Sequence, residues 1–311
     1  MEDFLGKLSS LFLAAAVLAP LAAHAGEAPP KPQVQVVPGF ADFLAIDGPT
    51  VWATNKGRVE QWTAKGKLAE KPMGRPCGGM SVDFGSLWVA DCPENAVKRI
   101  DVKTNTLLAT IPTGIANQQE GELNTVTGAG SAWIGSDAAG RIARIDPATN
   151  KVVASVTVAP GTWYLSFGLG ALWAVSAKEQ VLQRIDPATN AVTGTAPLGK
   201  APGFLVAGEG AVWVQEQGDG TVARIDPATM AVTARIKVGD NLKWGDIDTG
   251  AGKVWLRTTD EQEYVVIDAA TNAILSRVGK PVGSGALRWT PQGVWTSAHD
   301  VHTLTWWPSG K

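Results

Sequence analysis

Short runs of alternating apolar and polar residues, separated by Gly-rich turns, repeat along most of the chain. A complete unit, at residues 164–203, reads YLSFGLGALWAVSAKEQVLQRIDPATNAVTGTAPLGKAPG. Alternation over about four to eight residues is typical of half-buried β-strands. The unit therefore predicts four short strands, which are YLSFG, ALWAV, QVLQRI and AVTGTAPL.

A tryptophan follows a Gly-rich turn in every copy of this unit. The seven copies are Trp52, Trp88, Trp133, Trp173, Trp213, Trp255 and Trp295. Successive copies lie 36, 45, 40, 40, 42 and 40 residues apart. Four short strands in about 40 residues are typical of a β-propeller blade. We therefore predict an all-β fold in which residues 33–311 form a single seven-bladed β-propeller, with four antiparallel strands per blade.

The seventh unit is one strand short. The last copy has the segments ALRWT, GVWTSA and HTLTWWP, and we expect it to lack a fourth strand of its own. The N-terminal segment QVQVVPG, at residues 33–39, is similar to the fourth strand of another unit, KVVASVTVAPG. We expect this segment to complete the last blade, because closing the ring removes exposed strand edges.

The heptapeptide RIDPATN occurs at residues 144–150 and 184–190, and RIDPATM at 224–230. Its carboxylate could belong to a turn or to a calcium site. Asp, Pro and Asn each suit a tight turn, and a calcium site needs several converging oxygens. Each blade holds one copy, so the copies lie too far apart to share an ion. The motif is therefore interpreted as a turn, and the repeated tryptophan as packing between blades.

The stretch GLGALWAVSAKEQVLQRIDPATNAVTGTAPLG resembles the YVTN-type β-propeller repeat and the repeats of the virginiamycin B lyase-like superfamily. The resemblance covers residues 34–311 and implies a seven-bladed propeller. It also implies a histidine base, a glutamate and a magnesium ion on the mouth face of the propeller. Repeats of those lyases carry the sequence WFTE, whereas here only WVQE keeps the acid, at Glu216. The resemblance therefore supports the fold more strongly than the lyase reaction.

Composition and the N-terminus bear on location and partners. The 311 residues carry a formal charge of −2 without a long Lys/Arg run, so nothing favours nucleic acid. Lys7, the apolar stretch LFLAAAVLAPLAA and the small-residue site AHA predict a signal peptide over residues 1–25. Residues 26–32 then form a disordered spacer. We expect a periplasmic or secreted protein with no membrane span after cleavage; a retained N-terminal anchor is the alternative.

One face of the propeller, the mouth, carries the loops between blades. The residues nine positions before each repeat tryptophan are expected to form a ring at the mouth. They are Phe43, Gly79, Asn124, Tyr164, Phe204, Asp246 and Ala286. Its neighbours add Trp163, Lys243 and Trp244. Aromatic walls with few polar groups suit a small organic or sugar-like ligand. The candidate ligand-binding residues are Phe43, Trp163, Tyr164, Phe204, Lys243, Trp244 and Asp246. Alternatively, the rings fill the channel as core. The lengthened segment 114–124 is either a lid or a neutral insertion.

Candidates for catalysis are few. His299 and His302 lie in a mouth-face loop of blade seven, where they could serve as a base, as metal ligands, or as solvent-exposed residues without a role. With Glu216 they are the weak catalytic candidates, and no metal-ligand motif is present. We therefore predict a non-enzymatic module that binds a small organic ligand or a protein and needs no cofactor. A metal-assisted lyase or hydrolase using magnesium is the alternative.

Cys77 and Cys92 are the only cysteines. An even pair in an exported protein is usually bridged. Both lie seven residues from the turn at Phe84 and Gly85, so an antiparallel hairpin would place them opposite each other. We predict a disulfide at the mouth. Two reduced, buried thiols and a reactive cysteine are the alternatives, although Asp91 beside Cys92 would disfavour a thiolate.

Overall fold

The alternating segments form 28 strands in a computed structural model that describes residues 31–114, 122, 124–135 and 139–309. These strands make seven four-stranded antiparallel sheets, which confirms the predicted seven-bladed propeller. The predicted signal peptide and most of the spacer lie outside the described residues, as does most of the lengthened segment 114–124. No helix in the described ranges is long and apolar enough to cross a membrane.

The first four blades each use four consecutive strands. Blade one contains β2 (Leu44–Asp47), β3 (Thr50–Asn55), β4 (Arg58–Thr63) and β5 (Gly66–Pro72). Blade two contains β6 (Ser81–Asp83), β7 (Ser86–Asp91), β8 (Ala96–Asp101) and β9 (Leu107–Pro112). Blade three contains β10 (Asn124–Gly128), β11 (Ser131–Gly135), β12 (Arg141–Asp146) and β13 (Lys151–Thr157). Blade four contains β14 (Thr162–Gly168), β15 (Ala171–Ser176), β16 (Val181–Asp186) and β17 (Ala191–Pro197).

The remaining blades follow the same plan until the chain must close. Blade five contains β18 (Pro202–Gly208), β19 (Ala211–Glu216), β20 (Thr221–Ile225) and β21 (Val232–Lys237). Blade six contains β22 (Ile247–Gly250), β23 (Lys253–Arg257), β24 (Tyr264–Asp268) and β25 (Ile274–Val278). Blade seven contains β26 (Leu287–Thr290), β27 (Gly293–Ala298), β28 (Thr303–Pro308) and β1 (Gln33–Val36), with a 3₁₀ turn at His299–Val301.

The N-terminal strand closes the ring as predicted. β1 pairs antiparallel with β28, from Gln33 opposite Trp306 to Val36 opposite Thr303. Val37 is fully buried, and its backbone N–H donates to the carbonyl of His302 at 2.8 Å. The closing segment is therefore both hydrogen-bonded into blade seven and packed into the core between blades seven and one.

The RIDPATN motif of blade three forms a turn and also contacts the next blade. Asp146 accepts hydrogen bonds from the Ala148 N–H at 2.9 Å and the Thr149 hydroxyl at 2.7 Å, which confirms the turn. Arg144 stacks over Trp133, with its guanidinium carbon 4.8 Å from the ring centroid. The same guanidinium donates to the Pro187 carbonyl of the next blade's turn at 2.7 Å. The repeat of blade three therefore forms its own turn and also donates a hydrogen bond to the turn of the next blade.

The repeat tryptophans fill the spaces between blades, as predicted. The first five, Trp52, Trp88, Trp133, Trp173 and Trp213, are fully buried. Trp213 of blade five packs with Ile247 and Leu256 of blade six, and its indole N–H donates to the Gly208 carbonyl at 3.1 Å. Burial with a satisfied indole N–H, as in Trp213, is the arrangement expected of core tryptophans rather than ligand platforms. Trp52 is an exception, because its buried Nε1 has no hydrogen-bond partner among the described residues.

Cys77 and Cys92 form the predicted disulfide, with Cα atoms 6.1 Å apart. The strict hairpin register assumed from the sequence is wrong, however. Ser81 pairs with Trp88, whereas the isolated bridge further out joins Pro76 to Asp91, a shift of two residues. The segment around Gly78 and Gly79 interrupts the strand, so the two cysteines meet diagonally across the hairpin.

Breaking this bond should lower the free energy of unfolding by about 3 kcal/mol, because the bridge restricts the unfolded chain over a loop of this length. Urea denaturation of the oxidised protein, with and without reductant, measures the effect. The double variant Cys77→Ala, Cys92→Ala should match the reduced protein and be insensitive to reductant. Equal midpoints with and without reductant, despite complete reduction by thiol titration, would contradict this prediction.

Candidate functional site

A cavity of about 390 Å³ opens at the mouth of the central channel, which we call the mouth lobe. Its walls come from the segments that enter blades one, three, six and seven, from the strands β14 and β18 of blades four and five, and from the 3₁₀ turn of blade seven. The lining residues are Phe40, Asp42, Phe43, Glu122, Tyr164, Phe204, Trp244, Gly245, Asp246, Ser284, Gly285, Ala286, His299 and Asp300. Five aromatic rings and four carboxylates thus surround a volume in the range of small-molecule sites.

All seven members of the predicted ring face the channel. Gly79 and Asn124 do not line the mouth lobe. They line a second cavity of about 260 Å³ on its inner side, which we call the lower cavity and which Arg288 also lines. Phe43, Phe204 and Asp246 line both cavities. The Phe43 and Phe204 centroids are 6.2 Å apart. These residues therefore partition the channel, forming the floor of the mouth lobe and the roof of the lower cavity.

The three neighbours added to the ring differ in position. Trp244 lies at the rim of the mouth lobe with 65% of its surface exposed and a positive φ of 52°, which is unusual for a bulky residue. Its carbonyl accepts a hydrogen bond from the Ser284 hydroxyl at 2.9 Å. Lys243 and Trp163 do not line the lobe. The register of β14 shifts between Thr162 and Tyr164, and Trp163 has no partner in the ladder at that bulge.

Asp246 is engaged by its own scaffold. Its carboxylate accepts from the Arg288 guanidinium at 2.5 Å and from the backbone N–H groups of Leu287 and Ile247 at 3.2 and 2.8 Å. These contacts tie blade six to blade seven, and they neutralise the charge of Asp246. The polar character of the mouth lobe therefore rests mainly on Asp42, Glu122 and Asp300.

Glu122 differs from the other carboxylates in having an unpartnered oxygen. Its Oε2 is buried and makes no hydrogen bond with any described residue. Burial raises the pKa of Glu122 to about 8, and the neighbouring Asp42 and Asp246 raise it further in the same direction. Burial, with Glu122 close by, also raises the pKa of Tyr164. A carboxyl group that is neutral near pH 7 thus points into an aromatic cavity.

Replacing Glu122 by glutamine should change the pH dependence of stability. The folded protein keeps this proton up to about pH 8, whereas the unfolded chain loses it near the ordinary value of 4.5. The free energy of unfolding should therefore fall as pH rises between these values. The Glu122→Gln protein has no carboxyl group to titrate at this position, so its stability should not fall in this way. At pH 9 its free energy of unfolding should exceed that of the wild type by about 2 kcal/mol, a value that allows for partial exposure of the side chain.

Urea denaturation at pH 5, 7 and 9 measures this difference. The control is Glu209→Gln, because Glu209 is exposed in a turn between β18 and β19, away from the mouth lobe. The control should run parallel to the wild type. If Glu122→Gln also runs parallel to it from pH 5 to 9, Glu122 has an ordinary pKa and the prediction is wrong.

His299 is held within the wall of the mouth lobe. Its ring stacks on Phe40 with centroids 3.9 Å apart. Its Nδ1 lies 3.4 Å from Asp42 Oδ1, and its Nε2 lies 3.1 Å from Asp300 Oδ1. Asp300 is itself oriented by the Ser284 N–H at 2.7 Å. The interpretation as a solvent-exposed loop histidine does not apply to His299.

The other two catalytic candidates lie elsewhere. His302 is exposed and ends the 3₁₀ turn with a positive φ of 57°. Glu216 is fully buried at the end of β19, where it accepts from the Gly199 N–H, the Thr221 hydroxyl and the Arg235 guanidinium. Neither lines the mouth lobe. The structure does not bring the three candidates together, and Glu216 has the contacts of a structural residue.

The magnesium ion implied by the resemblance does not fit the described residues. A cation of this kind needs several oxygen ligands at short and regular distances. In the part of the chain that the structure describes, no three His, Cys, Asp or Glu side chains converge closely enough to hold a metal ion. Asp42 and Asp300 instead lie on either side of His299.

A neighbouring cavity of about 420 Å³, the rim lobe, continues the mouth towards blade two. It shares Asp42 and Glu122 with the mouth lobe and adds Lys56 and Arg75. Cys77 also lines it, so the disulfide braces this part of the mouth, as predicted. The two lobes differ in charge: arginine and lysine side chains line only the rim lobe.

Sequence reasoning missed Phe40, Asp42 and Glu122 as mouth residues. A simple signal could have found Glu122. Because side chains two residues apart share a face of an extended segment, positions two before the ring also point to the mouth. That count selects Glu122 before Asn124, Trp244 before Asp246 and Ser284 before Ala286. Only Trp244 was included, as a neighbour.

Searches of protein-family models and of curated proteins found no match. Similar solved structures include virginiamycin B lyase from Staphylococcus aureus, with 17% identity, a TM-score of 0.76, and coverage of 89% of this chain and 98% of that one. A streptogramin B lyase has 15% identity, a TM-score of 0.74, and coverage of 89% and 96%. A chain of a mitotic checkpoint complex has 16% identity, a TM-score of 0.74, and coverage of 97% and 100%.

At these identities the likeness shows the fold alone. The expected structural resemblance to virginiamycin B lyase is confirmed, and the chain from a mitotic checkpoint complex matches nearly as well. One fold serves many functions, so the residues of the mouth must carry any statement about function.

Proposed function

We propose that this propeller is a non-catalytic binding protein that holds a small organic molecule in the mouth lobe. The observation that carries the proposal is the lining itself, in which five aromatic residues and a few carboxylates surround about 390 Å³. Such a volume accommodates a ligand with one or two rings. The partition formed by Phe43 and Phe204 gives the ligand a floor, and Trp244 gives it an exposed wall.

Ligand-observed NMR with a library of aromatic fragments tests this proposal. Fragments that bind the wild type should bind Trp244→Ala about tenfold more weakly, equivalent to about 1.4 kcal/mol, because the variant lacks the exposed ring. Trp163→Ala is the matched control, since Trp163 is a nearby tryptophan that does not line the mouth lobe. If no fragment binds, or if both variants bind as the wild type does, the mouth lobe is not the ligand site.

A second candidate is an acid–base lyase, and the position of His299 favours it. This histidine lines the lobe, and its two ring nitrogens lie 3.4 Å from Asp42 and 3.1 Å from Asp300. Its buried Nδ1 makes no hydrogen bond with a described residue, so the imidazole could exchange a proton with a bound substrate. Two similar structures are named virginiamycin B lyase and streptogramin B lyase. We expect virginiamycin B to remain intact by mass spectrometry after incubation with the protein, with or without magnesium. Cleavage that disappears in His299→Asn would favour the lyase over the binding protein.

We also propose that the protein works outside the cytoplasm after removal of residues 1–25. The disulfide supports this location, because such bonds persist mainly in oxidising compartments. The intact mass of protein recovered from the periplasm or medium should correspond to a chain that begins at Gly26. Recovery of the full-length chain in the cytoplasm, with reduced cysteines, would contradict export.

A further inference from the structure

The mouth lobe has a one-sided charge distribution. Of its four carboxylates, Asp246 is paired with Arg288, whereas Asp42, Glu122 and Asp300 face the lobe. No lysine or arginine is among the described residues that line it, so His299 is the one lining side chain that can become cationic. Because low-dielectric walls strengthen electrostatic interactions, the charges of Asp42 and Asp300 make the lobe favourable for a positive charge. Glu122 is neutral near pH 7 in the unliganded protein, and a cation bound beside it would favour its ionised form.

The buried oxygen of Glu122 also favours a cationic ligand, and this observation is independent of how many carboxylates line the lobe. Its buried Oε2 faces the lobe without a hydrogen-bond donor among the described residues. A buried acceptor without a partner is destabilising, and native proteins rarely retain one without a reason. A ligand that brings an N–H donor would satisfy this oxygen, and a charged donor would form a stronger bond than a neutral one.

The aromatic wall favours the same ligand chemistry. Tyr164 and Phe204 pack at a centroid distance of 4.4 Å, and Trp244 stands exposed at the rim of the same lobe. The face of an aromatic ring attracts an organic cation, and tryptophan attracts it most strongly. The apolar body of the ligand would therefore contact the rings, while its charge lies near both the rings and the carboxylates.

The rim lobe indicates which end of the mouth the charged group of the ligand would occupy. Lys56 and Arg75 line it, and both side chains are exposed. They would repel a cation at that end and leave the mouth lobe as its preferred position. Behind the wall, Arg257 is fully buried, donates to backbone carbonyls and does not line the lobe. It is close enough to Asp42, Asp246 and Asp300 to interact with their charges, so it offsets part of the negative charge of the lobe.

We infer that the ligand of the mouth lobe is an organic ammonium compound with an aromatic or apolar body. Its ammonium group donates to Glu122 and lies close to Asp42, while its body contacts Trp244, Tyr164 and Phe204. The inference rests on the proposed binding function and narrows it to one class of ligand.

Three probes of similar size test the charge preference. Benzylamine, benzyl alcohol and benzoate are titrated separately at pH 7.5 and low salt, with binding followed by chemical-shift changes of the protein. We expect benzylamine to bind at least tenfold more tightly than benzyl alcohol, and benzoate to bind most weakly. The benzylamine affinity should fall as salt is added, whereas that of benzyl alcohol should not.

Two carboxylate variants test which side chains cause the preference for benzylamine. Glu122→Gln should weaken benzylamine binding about five- to tenfold and leave benzyl alcohol unchanged. Asp42→Asn should act in the same direction and serves as a second test. Glu209→Gln removes one negative charge from an exposed turn away from the lobe, and it should leave both affinities unchanged.

The outcomes separate this inference from the proposed function. If benzylamine and benzyl alcohol bind equally, and both are weakened in Trp244→Ala, the lobe binds ligands but the charge preference is wrong. If neither probe binds and the fragment library also fails, the proposed function itself is wrong. A tenfold preference for benzylamine that survives in both carboxylate variants would overturn the assignment to Glu122 and Asp42.

Discussion

A protein that lacks residues 26–39 is expected to lose cooperative folding of the entire propeller. The deletion removes β1, which supplies the fourth strand of blade seven through four ladder positions with β28. It also removes Val37, which is fully buried and donates its backbone N–H to His302. Together, the hydrogen bonds and the burial contribute about 5 kcal/mol. An open ring further exposes the edge of β28, which favours aggregation.

Thermal and urea denaturation, followed by tryptophan fluorescence, measure this effect. The matched control lacks residues 26–32 and keeps β1, and it should melt with the wild type. Adding the peptide QVQVVPG in excess should partly restore the truncated protein, because a free strand can pair with an exposed edge. If the two truncated proteins melt at the same temperature, closure by the N-terminal strand is wrong.

The second large effect concerns Arg257, at the end of β23. Its guanidinium is fully buried and donates to the carbonyls of Thr258, Glu263, Gly283 and Ser297. These carbonyls belong to blade six and to the segment that enters and forms blade seven, so one side chain connects two blades behind the mouth lobe. Burial lowers its pKa to about 10, although nearby carboxylates act in the opposite direction.

Arg257→Met should lower the free energy of unfolding by about 3–5 kcal/mol, because it leaves several buried carbonyls without donors. Urea denaturation measures this loss. Arg75→Met is the matched control, since Arg75 is exposed at the mouth, and it should stay within about 0.5 kcal/mol of the wild type. A loss below about 1 kcal/mol in Arg257→Met would mean that the buried guanidinium is not a structural link.

Local sequence patterns were sufficient to predict the scaffold. The strands follow from alternation, the blades from the spacing of the repeat tryptophans, and the turns from DPATN. The closure by β1 followed from its likeness to a fourth strand. Each of these features is repeated, so errors at one position are corrected by the other copies. The Cys77–Cys92 pairing also followed, although its register did not, because glycines interrupt the hairpin there.

The mouth could be predicted only where it follows the repeat. The ring positions from Phe43 to Ala286 were found because they lie at a fixed distance from each tryptophan. Trp163 does not line the mouth lobe, because a bulge in β14 shifts the register locally. Glu122 lies on the lengthened segment, which has no counterpart in the other blades. The contacts of Arg257 depend on carbonyls brought together by two blades, and no periodic pattern indicates them.

Soaking crystals of the protein with 4-bromobenzylamine tests the central claim most directly, because the anomalous signal of bromine locates the ligand without ambiguity. The bromine peak should lie in the mouth lobe against Trp244, Tyr164 and Phe204, and density for the amine should reach hydrogen-bond distance from Glu122 Oε2. A bromine peak outside the mouth lobe, or an empty mouth lobe at saturating concentration, would contradict the assignment of this cavity as the ligand site.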